Sequence, residues 1–138
     1  MIEDKISSLA KHFEPCASQE ERYLAIIAMG RALPPFPQEK KNTANRVSGC
    51  QSITYLAVAP IDDSLTLTAD SDALISKGLA AILIYVYNGE TAEVILKHKP
   101  HFLEDLKIAQ SLTPNRASGL YSMHLHLQQT ALRHLQPA

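Results

Sequence analysis

Between Asp72 and Asn88 the chain carries a segment that is apolar on nearly every face. Leu74, Ile75, Leu79, Ile82, Leu83 and Val86 recur at helical spacing, and Leu79 to Tyr87 holds no polar residue other than its tyrosines. A helix at the surface keeps one polar face, so a helix of this pattern has to be enclosed by the rest of the chain. The run is far shorter than the about 20 residues that span a bilayer. The sequence therefore predicts a central core helix with everything else arranged around it. Gly78 inside that helix costs roughly 1 kcal/mol against alanine, which calls for a close packing contact there. Asn88-Gly89 is the expected stop.

The flanking segments supply the wrapping. Ile2, Ile6, Leu9 and Phe13 predict an amphipathic helix that ends before Pro15. Ser18 and Glu21 form a capping box for a second helix carrying Tyr23, Leu24, Ile27 and Ala28, with Gly30 near its end. Leu33-Pro34-Pro35-Phe36-Pro37 cannot stay helical and predicts an extended connection. A polar surface loop follows from Gln38 to Asn45. Arg46-Val47-Ser48 is a candidate short strand. Ile53 to Ala59 is a stronger one, and Leu65 and Leu67 alternating with Ser64, Thr66 and Thr68 give a half-buried partner. Pro60, Asp62 and Asp63 mark the turn between them.

Asp70, Ser71 and Asp72 are then candidate caps for the core helix. Thr91 opens a short helix that Pro100 stops, and Phe102, Leu103 and Leu106 suggest another turn or helix. Thr113-Pro114 starts the last helix, with Leu120, Met123, Leu127, Ala131 and Leu135 on one face. Strands central in sequence with helices on either side predict an α+β fold: a small antiparallel sheet of two to three strands with one face covered by helices, in a single domain over 1–138.

Composition excludes several function classes. Thirteen basic residues against fourteen acidic ones leave a formal charge of −1 over 138 residues. Electrostatic nucleic-acid binding needs a basic excess or stripe, and the Lys40-Lys41 pair beside Glu39 is neither. The acidic start Met1-Ile2-Glu3-Asp4 lacks the pattern of a secretory signal, so a cytoplasmic protein with no membrane partner is the expectation. Phosphate-cradling glycine loops and hydrolase or metalloprotease signatures are missing from the sequence.

Six histidines do not make a metal site by spacing. Pro100 separates His98 from His101, and His124 and His126 fall on divergent helix faces. Solvated helix histidines are the expected role, and no metal is expected. Asp62-Asp63 reads as a turn, and Asp70 with Asp72 as helix-start acids.

Two cysteines without a CxxC spacing predict free thiols in a reducing compartment. Cys16, just before the capping box, reads as a packing residue, with a resolving thiol for Cys50 as the functional alternative. Cys50 lies in Val47-Ser48-Gly49-Cys50-Gln51-Ser52, between a loop and a strand. Gly49 frees the backbone there. On residues alone, an inert small apolar role and a functional thiol are both open for Cys50.

Ser48-Gly49-Cys50-Gln51-Ser52 resembles the glycine–cysteine–glutamine–serine segment of the SufE family, the cysteine desulfuration proteins of iron–sulfur cluster assembly. Three further stretches agree in order. They are Glu21-Arg22-Tyr23-Leu24 with Ile26-Ile27, Gly30 and Leu33-Pro34; Asp70-Ser71-Asp72-Ala73 with Ile75 and Lys77-Gly78-Leu79; and Leu112-Thr113-Pro114-Asn115-Arg116 with Gly119-Leu120. The resemblance implies a SufE/IscU-like fold and persulfide transfer, with Cys50 as the persulfide-forming nucleophile. The sulfur would come from a SufS- or CsdA-like cysteine desulfurase, whose activity the acceptor stimulates. It would pass on to a SufBCD-like iron–sulfur scaffold complex.

Pyridoxal phosphate (PLP) would belong to the desulfurase, and this chain is expected to hold no cofactor. Such a carrier is a sulfurtransferase component rather than a stand-alone enzyme. Gln51, Asp72 and Arg116 match motif positions with supporting or partner-binding roles. Tyr55 stands where many members have tryptophan, and Ala69 where glycine is frequent, which matters if that position needs a positive φ. A cysteine-dependent hydrolase, which would need a histidine facing Cys50, and a non-catalytic adaptor of a desulfurase remain as alternatives. A homodimer stays open.

Overall fold

The computed structural model describes residues 1–135. In chain order its elements are α1 (Ile2–Phe13), α2 (Gln19–Arg31), β1 (Thr54–Ile61), β2 (Ser64–Ser71), α3 (Leu74–Tyr87), α4 (Ala92–Lys97), α5 (Phe102–Asp105) and α6 (Pro114–Leu135). The strands form one antiparallel hairpin, central in sequence, and helices pack around it. This is the α+β arrangement that the sequence predicts. No helix among the described residues is long and apolar enough to cross a membrane.

α3 is the buried axis. Leu79, Ile82, Leu83, Val86 and Tyr87 are almost completely enclosed, each contributing about 2 kcal/mol by burial. α1, α2, β2 and α6 all pack against it. The contact that Gly78 called for is with α2. A Cβ on Gly78 would run into the carbonyl of Ile26, and one on Gly30 would lie 2.6 Å from the Gly78 nitrogen. Glycine at both positions lets the two helix backbones touch.

The capping signals hold. Ser18 Oγ accepts from the Glu21 amide at 3.1 Å, Thr91 Oγ1 from Val94 at 3.2 Å, and Thr113 Oγ1 from Arg116 at 3.4 Å. Asn88-Gly89 ends α3, with Gly89 at φ +81°.

Several expectations change. Arg46 makes only an isolated bridge to Tyr55, so the sheet has two strands. Pro60 lies inside β1, paired with Leu65, because in a two-stranded sheet every strand is an edge and tolerates a missing N–H. The turn is Asp62-Asp63 alone, with Asp62 at φ +54°. Asp70 and Ser71 continue the ladder opposite Tyr55 and Thr54, and α3 starts after Ala73 without a side-chain cap. Asp70 and Asp72 are therefore not caps.

The buried face of α2 is Ile26 and Gly30, while Leu24 is 58% exposed. Leu74 and Leu135 are likewise outside the core, and Leu125 and Leu132 leave an apolar stripe on the outer face of α6. Ala69 sits in regular strand and none of the four positive-φ residues is near it, so alanine is unstrained there. Tyr55 stacks on Phe36, with ring centroids 6.0 Å apart, which pins the Leu33–Pro37 connection to the sheet.

Candidate functional site

Cys50 sits at the end of the loop that leads into β1. The loop is fixed on one side by backbone bonds: the Val47 amide donates to the Thr54 carbonyl at 2.9 Å. On the other side Gly49 takes φ +89°, and a Cβ there would fall 2.5 Å from Ser122 Oγ of α6. Both conditions require glycine, and together they set the direction in which Cys50 leaves the loop. Its Sγ donates to the Gly119 carbonyl at 3.5 Å. A Cβ on residue 119 would meet that sulfur at 3.6 Å, so Gly119 keeps a space open beside it.

The space is a small recess lined by Cys50, Gln51, Ser52, Ser76, Asn115, Arg116, Gly119 and Met123. Its cavity volume is about 10 Å³. That is room for about one water-sized sphere. Arg116 is its cationic side chain, no carboxylate lines it, and Arg116 Nη1 donates to Ser76 Oγ at 3.3 Å. Behind it lies a cluster of hydroxyls. Ser52 Oγ donates to Ser76 Oγ at 2.8 Å and contacts Thr54 Oγ1 at 3.2 Å, and Thr54 contacts Ser71 Oγ at 3.0 Å. Burial pushes the Cys50 thiol above its ordinary value, and a hydrogen bond from Thr54 to the charged form pulls part of the way back.

Of the residues singled out from the sequence, Cys50, Gln51 and Arg116 share this recess. Gln51 is exposed, and its amide has no hydrogen-bond partner among the described residues. Arg116 makes its bond to Ser76 and, among the described residues, no ion pair. Asp72 is elsewhere. It accepts the Ile53 amide at 3.0 Å and lines a separate hollow with Lys41, Ile53, Tyr55, Asp70 and Ser71. Asp70 there pairs with Lys41 at 3.3 Å and Lys77 at 3.6 Å.

The histidines are not uniformly solvated. His124 is buried, 3.3 Å from the Tyr87 hydroxyl, and burial lowers its pKa to about 4. His126 is half-buried and donates to the Leu56 carbonyl at 3.0 Å. His98 pairs with Glu3. Neither His124 nor His126 lines the recess, and neither do the other histidines.

Thr54 and Ser76 were not singled out from the sequence. Thr54 is fully buried and Ser76 is 5% exposed. The available signal was a polar residue at a core position: Thr54 is in phase with Leu56 on β1, and Ser76 is a serine within the most apolar helix.

The sequence of residues 7–131 matches the family model described as SufE, an Fe-S metabolism associated domain. The chain belongs to the SufE family. One relative of this SufE-family chain is an uncharacterised SufE-like protein of Synechocystis, 34% identical over 127 residues, which cover 92% of this chain and 80% of the relative. The SufE-family fold found here is also that of a hypothetical protein from Thermus thermophilus, known from a solution structure. The two share 22% identity, with a TM-score of 0.78 over 95% of this chain and 96% of that one.

Proposed function

We propose that this SufE-family protein accepts sulfane sulfur on Cys50 from the persulfide of a PLP-dependent cysteine desulfurase and carries it to an iron–sulfur cluster scaffold complex. The observation that supports this reading most directly is the recess itself. A thiol held on a glycine-directed turn faces a space of about one atom's size, bordered by hydroxyls and one guanidinium. A carrier of one sulfur atom needs that much room and no more.

The Cys50 thiolate attacks the terminal sulfur of the donor persulfide. A new S–S bond forms at Cys50 while the donor's S–S bond breaks, and the donor leaves as a thiolate. The transferred sulfur keeps its oxidation state, so the step takes no external oxidant or reductant. The chemistry asks for no cofactor or metal on this chain. Burial disfavours the thiolate at rest, and docking that opens the loop to solvent removes that cause and raises the thiolate fraction. The acceptor thereby becomes more nucleophilic at the partner's surface, where it clears the desulfurase of its sulfur. Free thiols at both cysteines suit a reducing cytoplasm.

A cysteine-dependent hydrolase would need a base beside the sulfur, and no histidine lines the recess. The adaptor reading differs in its dependence on the thiol.

The test is intact mass after mixing the protein with a cysteine desulfurase and free cysteine. A gain of one sulfur (about +32 Da) that maps to Cys50 and is lost in Cys50→Ser is expected from the exchange step. No gain from a desulfurase shown to be active on cysteine overturns the carrier reading. Full stimulation of the desulfurase by Cys50→Ser identifies an adaptor instead.

A further inference from the structure

The chain has five glycines, and the resting fold accounts for four of them. A Cβ on Gly30 or Gly78 would run into the backbone of the facing helix. Gly49 and Gly89 take φ of +89° and +81°, where a side chain is strained. Gly119 is the exception. It lies inside α6 and is not one of the positive-φ residues. Beyond its chain neighbours and the backbone of its own helix, the Cys50 sulfur is the one described heavy atom within 4 Å of where its Cβ would stand. That distance is 3.6 Å, which is ordinary van der Waals contact.

Alanine would therefore fit the resting protein at this position. It would also stabilise the helix, because glycine loses more backbone freedom on folding. The fold gives up that stability at a residue whose absent side chain faces one atom. A local rule broken with no gain in the resting state is the mark of a functional position.

The atom that Gly119 faces is the one that changes in sulfur transfer. Cys50 Sγ donates to the Gly119 carbonyl at 3.5 Å, so the thiol points at α6. In a persulfide a second sulfur is bonded to Sγ at about 2.05 Å. A methyl carbon 3.6 Å from Sγ touches the thiol and overlaps a sulfur attached to it on that side. With glycine the same place is open. It belongs to the recess of about 10 Å³ that Cys50, Gly119 and Met123 line together.

We propose that Gly119 is a positioning residue for the loaded state: its missing side chain leaves the place that the terminal sulfur of a Cys50 persulfide takes up, turned inward against α6. The S–S bond is made and broken at Cys50 alone, and Gly119 acts through the space it leaves. The assignment rests on the sulfur-carrier reading and deepens it.

The experiment loads wild-type and Gly119→Ala proteins with an active cysteine desulfurase and free cysteine, then removes both. Tris(2-carboxyethyl)phosphine is added, which takes the terminal sulfur as the phosphine sulfide and returns the thiol. Loss of the added sulfur from the Cys50 peptide is followed by mass. In Gly119→Ala the sulfur is held outward and is lost about tenfold faster, the order expected when a methyl group is forced into filled space. Gly119→Ser brings the same Cβ and repeats the acceleration. The iodoacetamide rate of unloaded Cys50 stays within about twofold, since the methyl only touches the thiol. The melting temperature is equal or higher.

A merely structural glycine gives a different pattern: a lower melting temperature and an altered unloaded thiol, with no added effect of the second sulfur. Equal rates of sulfur loss in the two proteins overturn the proposal. So does a Gly119→Ala protein that melts lower or fails to fold, because the glycine then serves the resting state. A wild-type protein that gains no sulfur from a desulfurase active on cysteine ends the carrier reading and this assignment with it. Sulfur gain followed by equal loss ends the Gly119 assignment alone.

Discussion

Cys16 and Cys50 are both free and both half-buried, so exposure does not distinguish them. Their surroundings do. Cys16 follows the end of α1, its amide donating to the Phe13 carbonyl at 3.0 Å. It borders an open hollow of about 310 Å³ that Glu14, Arg22, Asp105 and Lys107 also line. Charges of both signs and free access to water leave its sulfur without a directed field. Cys50 borders a recess of about 10 Å³ with hydroxyls, one arginine and no carboxylate, on a turn fixed by Gly49. A thiol becomes chemically distinct through the fixed donors around it and the space beside it.

The largest effect expected from breaking this contrast is all-or-none. Cys50→Ser abolishes desulfurase-dependent sulfur gain, and Cys16→Ser leaves it within about twofold, since thiol exchange needs one nucleophilic sulfur. Equal losses in the two variants would remove the distinction.

Acid should erase the contrast by unfolding. His124 has an ordinary pKa of 6.5 and a folded value of about 4, because its charged form cannot be hydrated in the core. A lowered folded value means that its contribution is fully present above pH 6.5 and is lost as pH falls through about 4. The amount is roughly 3 kcal/mol. Urea midpoints at neutral pH and at the acid end of that window should diverge in the wild type and converge in His124→Gln. Below the window both thiols should react alike with dithiodipyridine.

Gly49→Ala sharpens the contrast from the Cys50 side. The left-handed φ of +89° costs about 1–2 kcal/mol with a Cβ present, and the Ser122 contact adds to it. The loop should loosen and Cys50 alkylation should rise, with Cys16 unaffected. An unchanged melting temperature would show that the turn does not constrain Cys50. Ser18→Ala is the mirror test and the smallest. Loss of the cap on α2 costs about 1 kcal/mol and should expose Cys16 while leaving the Cys50 rate unchanged.

Much of the fold was legible because its signals are local. The enclosed helix, the caps at Ser18, Thr91 and Thr113, the stop at Asn88-Gly89 and the strand alternation in Leu65–Leu67 each depend on a few neighbouring residues. Where local signals failed, pairing had overridden them. Asp70 and Ser71 look like caps in sequence but are held in β2 by the ladder to β1, and Pro60 looks like a turn but has a strand edge to lie on. Leu24 and Leu74 have the spacing of core residues and face outward, since the close approach of Gly30 and Gly78 sets how α2 rotates against α3.

The sequence by itself determined the α+β class, the family, and Cys50 as the thiol to ask about, because spacing and motif are properties of a linear chain. Tertiary structure decided the site around it. Residues from the loop before β1, from α3 and from α6 meet there, and Asp72, four positions before the recess's Ser76, opens onto a different hollow. Which side chains line the recess depends on how those elements meet, and packing sets that across the whole chain.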